Sequence, residues 1–192
     1  MIDNKRKVIV VTDGDTIAQK AIERAASNIG GRCISMSAGN PTPLSGKEII
    51  ELIKKAKHDP IIVMVDDKGD TNKGKGEKVL EELFKDESIE LLGVVAVASN
   101  TENVKGVEVD LSITSEGKIV YNAVDKEGHE TDSKILYGDT VDVLRNLDVP
   151  IIVGIGDPGK MGYKDNCIIE SPILTKALEL IINNSKKMRP KI

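Results

Sequence analysis

Aromatic side chains are almost missing from this chain, with no Trp, one Phe and three Tyr in 192 residues. A base-stacking nucleic-acid surface needs exposed rings, so that class is disfavoured, and the core has to be aliphatic. Cysteine is also scarce. Cys33 and Cys167 stand far apart, in neither CxxC nor Cys/His spacing, which favours reduced structural thiols over a disulfide framework or zinc and leaves one disulfide open. There is no excess of positive charge: the formal net charge is -4, so nothing pulls the whole chain toward nucleic acid. Nor is there a long apolar run, since none approaches the ~20 residues of a membrane-spanning helix. The opening "MIDNKRKVIVV" places charge before a short apolar run without a small-residue cleavage site, and does not read as a signal peptide. The expectation is a soluble chain.

What is present is aliphatic and periodic. The length suits one domain, expected over residues 7–186 with a basic flexible tail at 187–192. "VIVVTDGD" reads as a buried strand, and "DTIAQKAIERAASNIGG" as a helix capped by Asp15 or Thr16 and ended by Gly30. "RCISMS" reads as a second strand, and Ser45 with Glu48 has capping-box spacing for a second helix. "PIIVMV" gives a third strand, residues 74–85 a helix with Val79, Leu80, Leu83 and Phe84 inward, and "LLGVVAVAS" a fourth strand. That alternation predicts an α/β fold: a doubly wound, mostly parallel sheet with helices on both faces, Rossmann-like or Toprim-like. The rhythm breaks near residues 107–124, where apolar and polar residues alternate around Gly117, and an edge β-hairpin is expected. "DTVDVLRNL" resumes a helix, "VPIIVGI" gives a final buried strand, and "SPILTKALELIINNSKK" closes the fold with Ser171 as cap and Pro172 in the first turn.

In such a sheet ligands bind beyond the carboxyl ends of the strands. The loops there are "TDGD", "SAGNPTP", "DDKGDTNKGKGE", "ASNTEN" and "GIGDPGKMGYKD", and they nominate Asp13, Asp15, Ser37, Asn40, Asp66, Asp67, Ser99, Gly156, Asp157 and Lys160 as ligand-binding candidates. Asp13, Asp66 and Asp67, with Asp70 nearby, could gather carboxylates for a hard cation such as Mg²⁺ or Ca²⁺. The alternative reading is structural, because aspartates after strands cap helices and close turns. Gly154, Gly156 and Gly159 spell GxGxxG on the last strand, where no further strand follows to complete a dinucleotide unit. Gly154, Gly159 and Lys160 have P-loop spacing, but Met161 stands where Ser or Thr should hold Mg²⁺. Glycines needed for backbone geometry are the plainer explanation. His58 and His129 sit in polar segments away from any Ser or Cys nucleophile.

The segments "VVTDGD", "GGRCISMSAGNP", "VMVDDKGDTNKGKGE", "VVAVAS", "GDTVDVL" and "VPIIVGIGDPGKM" together resemble the stage V sporulation protein AE family, in its soluble AEa form. The resemblance implies a spore-forming source and an accessory or signalling component of the machinery that moves dipicolinic acid, as its calcium chelate, into the spore and out at germination. Its implied partners are other proteins of the stage V sporulation A operon, including membrane subunits, with a homo-oligomer also open. Its implied place is the spore or forespore, peripheral to the inner membrane. It brings no established catalytic residues. A second resemblance is to the Toprim fold, in which an acid after the first strand and a DxD pair bind magnesium for phosphoryl transfer. Asp13 stands near the first acid, but Asp66 and Asp67 are adjacent and Lys68 follows. A magnesium-dependent phosphoryl-transfer or nucleotide-binding enzyme is therefore the alternative function.

Overall fold

The structure is a computed structural model that describes residues 5–68, 73–101 and 103–188. Its strands are β1 (Arg6–Val11), β2 (Arg32–Cys33), β3 (Ile61–Met64), β4 (Ile89–Val97), β5 (Val107–Glu108), β6 (Leu111–Ile113), β7 (Ile119–Val120), β8 (Ile135–Leu136) and β9 (Ile152–Ile155). The helices are α1 (Thr16–Asn28), α2 (Gly46–Lys55), α3 (Lys75–Lys85) and α4 (Pro172–Met188). Seven strands form one sheet in the order β2-β3-β1-β4-β9-β6-β7, parallel except for β7. β5 and β8 pair antiparallel in a small second sheet.

Successive residues of β1 serve opposite cores, as the two-residue strand period requires. Val8 and Val10 face a layer that includes Ile49, Ile53, Val79 and Leu80 of α2 and α3. Ile9 and Val11 face the layer built on Ala18, Ala21 and Ile22 of α1 and Leu174, Ala177 and Leu178 of α4. Both faces are thus dry, which is why the central strands read as unbroken Val/Ile runs. The helix starts follow their sequence signals: Asp15 accepts the amides of Ile17 and Ala18, each at 2.8 Å, and Ser45 with Glu48 closes a capping box.

Several expectations need correction. "RCISMS" is strand only at Arg32–Cys33; Ser35–Ser37 turn as a short 3-10 helix, because the Ser37 hydroxyl donates to the Ile34 carbonyl at 2.7 Å and tightens the chain. The edge hairpin expected near 107–124 is present as β6 and β7 around Gly117 (φ 76), while β5 leaves to pair with β8. "DTVDVLRNL" forms a 3-10 turn over Asp142–Asn146 rather than an α-helix. Its segment is held from outside, since Asp142 accepts the amides of Lys105 and Gly106. Ser171 does not cap α4 with its side chain, which has no hydrogen-bond partner; the Asp165 carboxylate takes the amides of Ile173 and Leu174 instead. Phe84 is half-buried rather than fully inward. Lys187 lies within α4, whose last described residue is Met188.

Candidate functional site

β1 is flanked by β3 on one side and β4 on the other. From β1 the chain runs out to β2 at the sheet edge, returns inward to β3 beside β1, then crosses through α3 to β4 on the other side. α1 follows β1 onto one face and α3 follows β3 onto the other, so the carboxyl-end loops part to leave a crevice. Hydroxyls extend the strand pairing into these loops: Val97 N–H donates to Thr12 Oγ1, Met64 N–H to Ser37 Oγ and Asp66 N–H to Thr42 Oγ1, at 2.8–2.9 Å. Ser37 is therefore a clamp between two backbone segments, and it is fully buried. Gly14 N–H reaches the Asp66 carboxylate at 3.3 Å, and Gly39 N–H the Gly14 carbonyl at 2.8 Å. A Cβ at Gly14 would meet the Gly39 carbonyl oxygen at 2.7 Å, so the close approach of these two loops needs the glycine.

The aspartates gather at this end, and most of them hold backbone. Asp66 accepts from Gly14 N–H and from Lys68 N–H, the latter at 2.8 Å. Asp67 accepts from Gly76 N–H at 2.6 Å and Glu77 N–H at 3.4 Å, which caps α3 from the end of β3, where the local N-cap, Gly74, has no side chain. Asp15 caps α1, and Asp157 accepts from Gly159 N–H at 2.7 Å. Among the described residues, Asp13 accepts only the 3.2 Å bond from Asp15 N–H. Asp70 lies outside the described residues.

Burial and crowding set the charge of this group. Desolvation pushes Asp13 up to about 8, with Asp15, Asp157 and Asp66 adding like-charge repulsion. Desolvation takes Asp66 to about 6 against the pull of its amide donors, and Asp139 and Asp67 repel it. Burial raises Asp67 and Asp157 as well. These repulsions connect Asp13 to Asp66 and Asp66 to Asp139 around one crevice, with Asp157 on the Asp13 side and Asp67 toward α3. The proton is the simplest species this cluster takes up near neutral pH. Among the described residues, no three His, Cys, Asp or Glu side chains converge in metal-binding geometry.

The other nominated residues divide. Ser99 bonds to the Thr101 hydroxyl at 2.8 Å and accepts from Asp139 N–H at 3.0 Å, and Thr101 donates to the Asp139 carboxylate. Asn40 and Lys160 are exposed, and Lys160 lowers the cost of charge on Asp157. Gly156 is a packing position: a Cβ there would lie 2.6 Å from Gly128 N. At Gly154 it would lie 2.5 Å from Ser112 Oγ. Gly154 thus lets β9 pack closely against its neighbour β6, and Gly156 lets it pack against the excursion that follows β6, so these glycines serve packing rather than a dinucleotide turn.

Sequence reasoning missed Asp139, Thr140 and Glu77. Thr140 is buried with φ 60, and its hydroxyl lies against the Asp67 carboxylate but outside hydrogen-bond geometry. Next to it opens a polar cavity of about 620 Å³, walled by Lys73, Glu77, Lys105, Asp139, Asp142 and Arg145 among others. Glu77 is raised by burial and by Asp67, and accepts the Val143 amide at 3.2 Å. The only forward signal was "GDTVDVL", which reads as a helix start rather than as a wall of this crevice.

Among the described residues, no helix is long and apolar enough to cross a membrane. Neither a curated protein nor a solved structure matches the chain. A family model does match, over residues 7–185, and its extent from β1 through nearly all of α4 takes in every loop of the crevice. The chain therefore belongs to the stage V sporulation protein AE1 family, which gives it a role in sporulation.

Proposed function

We propose that this protein is an accessory or signalling component of the sporulation and germination machinery that handles dipicolinic acid and its calcium chelate. Its partners on this reading are other proteins of the stage V sporulation A operon, including membrane subunits beside which it sits peripherally. The single observation that carries the reading is the family match across residues 7–185. The site geometry supports a docking role: Asp15, Asp66, Asp67 and Asp157 hold backbone amides, so the acidic end is a rigid, shaped surface.

Asp13, Asn40, Asp157 and Lys160 are the residues of that surface proposed to meet the partner. Asp13 and Asp66 make the contact dependent on pH or on a cation, because their neighbours are carboxylates. The test compares spores lacking the gene with spores carrying an Asp13→Ala and Lys160→Glu variant, following dipicolinic acid release after each germination trigger. Slower release in both supports the reading. Release kinetics identical to wild type in the deletion strain under every trigger would sink it.

A further inference from the structure

At the outer edge of the sheet, β2 and the C-terminal turn of α2 enclose a second cavity of about 490 Å³. Its floor is apolar, with Met36 62% exposed and Leu52 half-buried. Its rim carries Arg32, Lys55, Lys57 and His58, and no carboxylate lines it. All four rim residues are exposed, and among the described residues none has a side-chain partner. The nearby acids are already engaged: Asp59 with Arg6, Glu51 with Lys54, and Glu23 with Gln19. The Arg6 guanidinium also covers the Ile53, Lys54 and Ala56 carbonyls, which neutralises the negative end of α2 beside the groove.

The backbone of this edge is open as well. Arg32 N–H donates to the Pro60 carbonyl and Ile34 N–H to the Ile62 carbonyl, each at 2.9 Å. In a parallel pair, alternate residues bond to the same neighbour, so the N–H and C=O of Cys33 point away from β3. No described strand lies on that side. An open donor and acceptor, an apolar floor and an all-cationic rim therefore meet along one short line.

We infer that this edge binds an acidic, extended peptide segment of a partner protein by strand addition. The peptide backbone exchanges hydrogen bonds with Cys33, the carboxylates on the α2 face meet Arg32, Lys55 and Lys57 beside Leu52, and the alternate side chains turn to the opposite face of the sheet. The surface is separate from the crevice at the carboxyl ends of the strands, and the inference stands or falls independently of the germination reading.

The test uses the full chain and a fluorescent octapeptide alternating Glu with Val, followed by anisotropy at low and high salt. Wild-type protein should bind it, binding should weaken with salt, and the Arg32→Glu plus Lys55→Glu variant should bind at least tenfold more weakly. Lys118→Glu, at the opposite edge, should bind like wild type, and thermal melts confirm that both variants fold. Hydrogen exchange at the Cys33 amide should slow when the peptide is bound. A Lys-Val peptide, or the Glu-Val peptide with alternate amides methylated, should bind poorly. The proposal is overturned by absence of binding at millimolar peptide, by equal binding to the charge-reversed variant, or by undiminished binding of the methylated peptide. Glutarate or anionic phospholipid vesicles competing at the same residues as strongly as the peptide would assign the groove to small anions or lipid headgroups and overturn it equally.

Discussion

Asp165→Asn isolates one buried charge. Asp165 has no exposed surface, yet its carboxylate accepts the Ile173 amide at 2.7 Å and the Leu174 amide at 3.1 Å, which caps α4. Desolvation nevertheless outweighs those bonds and raises the group from 3.8 to about 7. A carboxyl whose folded value lies above its unfolded value binds its proton first in the folded state. Wild-type stability from this group is therefore lowest above pH 7, grows as pH falls from about 7 to about 4, and levels off once the unfolded chain is protonated too. The slope is about 1.4 kcal/mol per pH unit, so the full span is on the order of 4 kcal/mol as an upper bound. Asparagine keeps a carbonyl acceptor and does not titrate. Urea unfolding of both proteins from pH 4 to 8.5 should show wild type gaining on Asp165→Asn as pH falls through 7, while every other titrating group cancels in the difference. Parallel stability curves would refute the assignment of a raised, buried carboxyl at this cap.

Other perturbations read other joints of the structure. Asp13→Asn should stabilise the protein at pH 9, above the folded value of about 8, with an advantage that shrinks as pH falls below 8 and disappears only near pH 4, as thermal melts at pH 9, 6 and 4 would show. Asp67→Ala frees the Gly76 and Glu77 amides and should cost about 1–2 kcal/mol in urea unfolding, with faster amide exchange in the first turn of α3. Arg6→Ala removes the donors that hold the carbonyls of Ile53, Lys54 and Ala56 and should cost about 2 kcal/mol with an unchanged denaturant slope. Thr140→Gly relieves a β-branched residue at φ 60 whose hydroxyl has no hydrogen-bond partner and should raise stability by about 1 kcal/mol in urea unfolding; a loss of stability would refute the strain.

The helices and central strands were legible because their signals are local. Asp15, the Ser45/Glu48 pair and the Val/Ile runs each act within a few residues or along one element. The misreadings share a different cause. Ser171 stands where a cap belongs, but Asp165, reaching in from the preceding turn, supplies the bonds. "DTVDVLRNL" has a helical pattern, but its first acid is tied to the amides of Lys105 and Gly106. Asp139 was not legible as part of the crevice, since only the fold carries residues 137–140 to the carboxyl end of β4, where Ser99 N–H donates to the Tyr137 carbonyl at 3.0 Å.

By itself the sequence determined the fold class, the two-faced sheet and the end at which acidic loops collect, because hydrophobic period and capping chemistry are written residue by residue. It also carried the family, whose signal runs through nearly the whole chain. Only the tertiary structure decided what the aspartates do. Asp66 and Asp67 look alike in sequence, yet one braces the loop after β1 and the other starts α3, because each meets amides brought from a distance by packing. The same packing left the edge of β2 open beside a rim of cations, a juxtaposition between Arg32 and Lys55 that no local spacing records.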